Sequence, residues 1–371
     1  MERMNHTRII TVASGKGGVG KTNISANLAL ALAEERLRTC LFDADLGLAN
    51  INIILGLNPE FTLEDVIMGQ KALNDILIKG FHGIDIIPGS SGVEKLVSLD
   101  NEQILHLVAS LSGISHYDFL IFDTSAGISV PVLAFCMAAI EVLVVITPEP
   151  TSMTDAYALL KVLVMNGFNG MVKLVVNQCK TINQAKRIYR TFNKTIQTYL
   201  KISTSLTGVL LTDFKVMEAV KQQEPFLRLY PDSNAAKCIH YLAKALLGNN
   251  SQDVFVNNMV PFWEKCFQIM KRPLIMKEGP KTSRKPDRNS KHSGETADRV
   301  DLMEMMGLMD KLVGGVVTVS EELRQIKECL GNGHVGASSV QPSSTKVLRH
   351  TEDNKKYILD YEAFVKKYEA T

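Results

Sequence analysis

The chain has 371 residues, 46% of them hydrophobic and 22% charged, with a formal net charge of +2. These values mark a globular chain long enough for one large domain plus an appendage. The near-neutral balance excludes a protein that grips nucleic acid through bulk charge alone and leaves only a local basic patch for that purpose.

From the N-terminus, "MERMNHT" carries no apolar segment ahead of a small-residue cleavage site, so secretion is not expected. Short β-branched runs follow one another along the chain: "RIITVA" (8–13), "TCLFDAD" (39–45), "IDIIPG" (84–89), "FLIFDT" (119–124), "EVLVVIT" (141–147), "KLVVNQ" (173–178) and "LTGVLL" (206–211). None alternates apolar with polar residues, as strands covered on both faces need not. Helical patterns lie between them, at 21–36, 100–112, 129–140, 151–167, 183–199, 214–222 and 233–247. The predicted class is α/β, a doubly wound, mainly parallel sheet. The apolar stretch 130–147 contains Pro131 and Glu141 and falls short of the about 20 residues a bilayer span needs, so it reads as a buried helix and a buried strand.

Near residue 250 the texture changes at "GNNSQD". An amphipathic segment, "VPFWEKCFQIMKR" (260–272), is followed by the polar, basic stretch 277–298 and then by apolar stripes including Met305, Met306 and Met309. The expected organisation is a domain over 1–250, an amphipathic segment over 251–276, a disordered basic linker over 277–298 and a helical extension over 299–371. Six cysteines, Cys40, Cys136, Cys179, Cys238, Cys266 and Cys329, show no CxxC pair and no histidine at metal-ligand spacing. They read as reduced, mostly buried thiols of a cytoplasmic protein.

The chemistry begins at Gly15, where "GKGGVGKT" matches G-x-x-x-x-G-K-[ST] between a strand and a helix. Gly15, Gly17, Gly18 and Gly20, with Val19 between the last two, let backbone N–H groups turn toward phosphate at a helix N-terminus. Lys21 then meets the β- and γ-phosphates of a nucleotide and the Thr22 hydroxyl ligates Mg²⁺. Asp43, Asp45 and Asp123 stand at strand carboxyl ends, where doubly wound sheets bind ligands, and should converge near Thr22.

"SGKGGVGKT", "LFDADLGLAN" and "FLIFDTSAG", supported by "TPEPTSMTDAYALLK", "VVNQ" and "MEAVKQQEPF", together resemble the MinD/ParA family of deviant-Walker ATPases, in particular its MinD-like regulators of flagellar number. The resemblance covers about 8–247. It implies ATP and Mg²⁺ as ligands and a homodimer formed with ATP, in which Lys16 reaches the partner's phosphates. It further implies that Thr22, Asp43 and Asp123 hold Mg²⁺, that Asp43 or Asp45 orients the attacking water, and that Asn177 meets the adenine edge. The stretch Leu211 to Asp213 would flank the base, and Glu149 would touch the partner's nucleotide. Without a strong general base, hydrolysis should be slow.

Relatives of this kind also act with an FlhF-like GTPase through an N-terminal activator helix, and the seven residues before the first strand do not resemble one. They end in a membrane-targeting helix as well. Residues 260–272 could lie in an anionic membrane surface or pack on the domain as core. The basic residues Lys180, Lys186, Arg187, Arg190, Lys194 and Lys201 are either a solvated helix face or, for a ParA-like partition protein, a DNA-binding stripe. The extension 299–371 is either a small helical bundle or a partner-binding surface, which leaves room for an ATP-binding adaptor acting through that tail.

Overall fold

The computed structural model describes residues 7–45, 50–89, 99–114, 116–248 and 255–276. The expected linker and extension, 277–371, and the "LGLA" of the second motif lie outside the described residues.

Strand β1 (Thr7–Ser14) is buried at every position and runs into a glycine-rich loop. Helix α1 (Lys21–Glu34) follows, rich in Leu and Ala, with its interior positions packed under the sheet. Strand β2 (Thr39–Ala44) leads to three short helices, α2 (Asn50–Ile54), α3 (Leu63–Ile67) and α4 (Leu73–Ile76), and then to a hairpin of β3 (Ile78–Phe81) and β4 (Ile84–Ile87). Helix α5 (Asn101–Ser112), capped by Asp100, precedes β5 (Phe119–Ala126). The rest alternates: α6 (Val130–Ala138), β6 (Glu141–Ile146), α7 (Pro150–Met165), β7 (Met171–Cys179), α8 (Ile182–Tyr199) and β8 (Thr204–Leu211). Helices α9 (Phe214–Gln222), α10 (Phe226–Leu229) and α11 (Asn234–Gly248) complete that run, followed by β9 (Phe255–Val256) and α12 (Val260–Lys271).

Among the described residues the strands form one sheet in the order β3-β4-β2-β5-β1-β6-β7-β8, with β9 paired to β1. All pairings are parallel except β3 with β4 and β9 with β1. This is the doubly wound sheet expected. Parallel order aligns the carboxyl ends of β1, β2, β5, β6 and β7 along one edge, where the chemistry-bearing residues collect.

Helix α12 packs on α6 and α5. Its apolar residues Phe262, Trp263, Cys266, Phe267, Ile269 and Met270 are all buried, and Glu264, Lys265, Gln268 and Lys271 face solvent. Trp263 lies within aromatic contact of Phe42, Phe122 and Phe135, at centroid distances of 5.6, 5.5 and 6.3 Å. Of the two readings for this segment, packing as core is the one the structure adopts. Burying six such side chains is worth on the order of 10 kcal/mol before the entropy of ordering the helix is subtracted.

Candidate nucleotide site

The loop between β1 and α1 is built by contacts that only glycine permits at two points. A Cβ on Gly15 would lie 2.0 Å from the Asp155 carbonyl carbon, because the first turns of α7 pack against the loop backbone. Gly20 takes φ of 91° at the N-terminus of α1, and a Cβ there would meet Asn177 Nδ2 at 2.5 Å. Gly17 faces open space. The loop is tied to the end of β7 by its carbonyls: Asn177 Nδ2 donates to Val19 O at 2.7 Å and Gln178 Nε2 to Gly18 O at 3.3 Å. Phosphate needs N–H groups, so this bracing does not compete with ligand binding.

Below the loop, parallel pairing of β2 with β5 sets Asp43 beside Asp123. Both are fully buried. Ser25 Oγ donates to Asp123 Oδ1 at 2.8 Å, and Lys21 and the Thr22 hydroxyl favour its ionised form. The Asp45 N–H donates to Asp43 Oδ1 at 3.1 Å, while Asp45 Oδ2 accepts from Asn50 Nδ2 at 2.8 Å. Gly89 closes the floor, since a Cβ would fall 2.6 Å from Asp43 O.

Burial pushes the Asp43 carboxyl up to about 8, with repulsion from Asp123 adding to it. Burial also lifts Asp123, to about 6, against the opposing pull of Lys21, Thr22 and Ser25. One oxygen of each, Asp43 Oδ2 and Asp123 Oδ2, is buried without a hydrogen-bond partner. Buried polar atoms are rarely left so. Two orphaned carboxylate oxygens beside a P-loop threonine hydroxyl are a hard-oxygen donor set, and Mg²⁺ fits it.

Lys16 stands apart from this cluster. Its Nζ contacts Glu149 Oε2 at 2.7 Å and Thr151 Oγ1 at 2.9 Å, and the two charged side chains remain 38% and 60% exposed. Exposed pairs of this kind are worth at most about 1 kcal/mol, so the contact holds Lys16 without committing it.

The structure thus brings together Gly15 to Thr22, Asp43, Asp45 and Asp123, with Lys16 and Glu149 paired at the rim. Two expected residues are occupied otherwise. Asn177 bonds within the chain at both polar ends of its amide, to Val19 O and from the Gln178 N–H at 2.8 Å, so here it braces the loop. Asp213 caps α9 through the Lys215 N–H and accepts from the Ala235 N–H, while Leu211 ends β8. Sequence reasoning missed Ser25, Thr151, Gln178 and Gly89. Ser25 had a signal, one helical turn beyond Lys21; the others depend on tertiary neighbours.

A glycine-rich loop leading into a helix at the edge of a doubly wound sheet, above paired buried carboxylates, defines a P-loop nucleotide-binding protein. Residues 5–247 match the family model described as ParA, NUBPL iron-transfer P-loop NTPase, and the chain belongs to this ParA/MinD family. It is 41% identical over 247 residues to the antiactivator FleN of Pseudomonas aeruginosa, covering 66% of this chain and 88% of that protein. Against the flagellum site-determining protein YlxH of Helicobacter pylori identity is 30% over 248 residues, covering 66% and 84%. Among solved structures, the septum site-determining protein MinD of Pyrococcus horikoshii complexed with Mg-ADP superposes with a TM-score of 0.54 at 26% identity, covering 66% of this chain and 98% of that one.

Proposed function

We propose that the chain is a slowly hydrolysing ATPase whose ATP-bound form dimerises and thereby regulates the number or placement of flagella. The observation carrying this reading is Lys16: a cation at the rim of a phosphate loop, held by a weak exposed pair to Glu149 and a hydrogen bond to Thr151, and therefore able to exchange one anion for another. Two facing nucleotides would bring that anion, the partner's phosphates. The flagellar part rests on the likeness to FleN and YlxH.

In this reading the loop N–H groups and Lys21 bind and orient the triphosphate. Thr22, Asp43 and Asp123 would hold Mg²⁺, which supplies charge neutralisation at the phosphate oxygens. Asp45, tied to Asp43 and Asn50, orients water, and with no strong base in the cluster turnover is slow. Lys16 completes the partner's site, so the dimer forms only with ATP. Peripheral attachment to an anionic membrane would use α12, which must leave its packed position to do so. An FlhF-like GTPase or another flagellar regulatory protein is the class of partner this reading implies.

The test is complementation of a Pseudomonas aeruginosa strain lacking FleN, counting flagella per cell. The chain restores the parental number and its Lys16→Ala variant does not; restoration by both would exclude the switch.

A second reading, an ATP dimer bound to DNA, is favoured by one observation. No acidic residue occurs between Asp155 and Asp213, and Arg187, Arg190 and Lys194 lie exposed along α8. DNA retention that falls steeply with salt and with Arg187→Glu would support it; insensitivity to both would exclude it.

A further inference from the structure

At the opposite edge of the sheet from the P-loop, the amino ends of β7 and β8 border a cavity of about 470 Å³. Its wall includes Lys173, which is 3% exposed. Lys173 belongs to a buried group of three charges. Arg8 pairs with both oxygens of Glu141, Nε to Oε2 at 2.5 Å and Nη2 to Oε1 at 2.9 Å, and also donates to the Leu246 carbonyl. Lys173 Nζ reaches the same Glu141 Oε1 at 3.1 Å.

Two cations thus share one carboxylate, and the group carries one unit of positive charge in the interior. Charges buried this way are costly unless they are matched. The carbonyl near the end of α11 offsets part of the excess, but at Arg8. Lys173 is the member of this group that also lines the cavity. There the register places Ser205 of β8 directly beside Lys173, and Ser203, just before the strand, also lines the cavity. Lys201, Asn169 and Thr204 complete the polar lining. The wall is packed tightly at Gly170, where a Cβ would lie 2.6 Å from Ile140 O.

We propose that this cavity binds a small molecule through an oxyanion group, phosphate or carboxylate, neutralised by Lys173 and Lys201 and hydrogen-bonded by Ser203 and Ser205. The site is separate from the P-loop and stands whether or not the ATP switch does. A cavity of this size suits a small metabolite.

The test is calorimetric melting of the full chain in phosphate, acetate or chloride at equal ionic strength, with isothermal titration of inorganic phosphate and of acetate. Because the P-loop also attracts phosphate, Lys21→Ala serves as the control background. The expected result is stabilisation over chloride that persists in Lys21→Ala, with affinity weakened about tenfold or more in Lys173→Met. Lys173→Met leaves a neutral Arg8–Glu141 pair, so its melting in chloride should not fall. Should it fail to fold, Ser205→Glu, at an exposed position, sets a carboxylate beside Lys173 and should abolish the stabilisation. Stabilisation by phosphate but not acetate assigns a phosphate-bearing ligand, and the reverse a carboxylate. The proposal is overturned by equal melting in all three salts, by an effect lost in Lys21→Ala, or by one unchanged in Ser205→Glu.

Discussion

At the scale of single residues, the two ends of the phosphate loop differ from its middle. Gly15→Ala forces a methyl into the backbone of α7 and should abolish nucleotide binding, whereas Gly17→Ala meets open space and should keep binding within a few-fold. Titration of both variants with ATP checks the contrast. Glu149→Gln should change stability by less than about 1 kcal/mol, as an exposed pair allows, and a larger loss in denaturant melts would make the pair a structural brace. Asp43 and Asp123 predict a pH dependence. A carboxyl raised above its unfolded value of about 3.9 favours the folded state only while protonated. The contribution is therefore full below about pH 4 and is lost as pH rises, through about 6 for Asp123 and about 8 for Asp43. Mg²⁺ takes the ionised form, so its affinity should rise over the same window with release of protons. Melting of the ligand-free chain across that range, beside Asp43→Asn with a smaller slope, is the check; equal slopes would contradict it.

At the scale of elements, most of the sheet was legible because its central strands are long, β-branched and bounded by helices. The edge strand β3 and the short strand β9, which pairs with the start of β1, were not. They are four and two residues long, only partly buried in most positions, and pair antiparallel, so neither carries an apolar run. Helices α2 to α4 are too short to show a period. The convergence of Asp43 with Asp123 could be read from strand ends, but the bracing by Asn177 could not, because it depends on how far β7 reaches past the loop. Helix α12 was ambiguous for a physical reason: an apolar face reads the same whether lipid or protein covers it. Docked as it is, α12 offers lipid no apolar face. The ligand-free chain should therefore not sediment with anionic vesicles, and Trp263, the single tryptophan, should emit from an apolar environment. Vesicle binding induced by ATP should come with a change in that emission. Binding with Trp263 emission unchanged would assign the membrane contact to another surface.

At the scale of the whole molecule, one edge of the sheet gathers the phosphate loop, the buried carboxylates and Lys16, and among the described residues no helix is long and apolar enough to cross a membrane. In the proposed switch, Lys16, which contributes little to its own fold, would complete the site of a second copy of the chain. The most direct test is the mass of the chain in solution by light scattering with Mg-ATP and with Mg-ADP, for the wild type and Lys16→Ala. The account predicts a dimer only for the wild type with ATP. A wild-type chain that stays monomeric in ATP, or a Lys16→Ala variant that dimerises as well as the wild type, would contradict it.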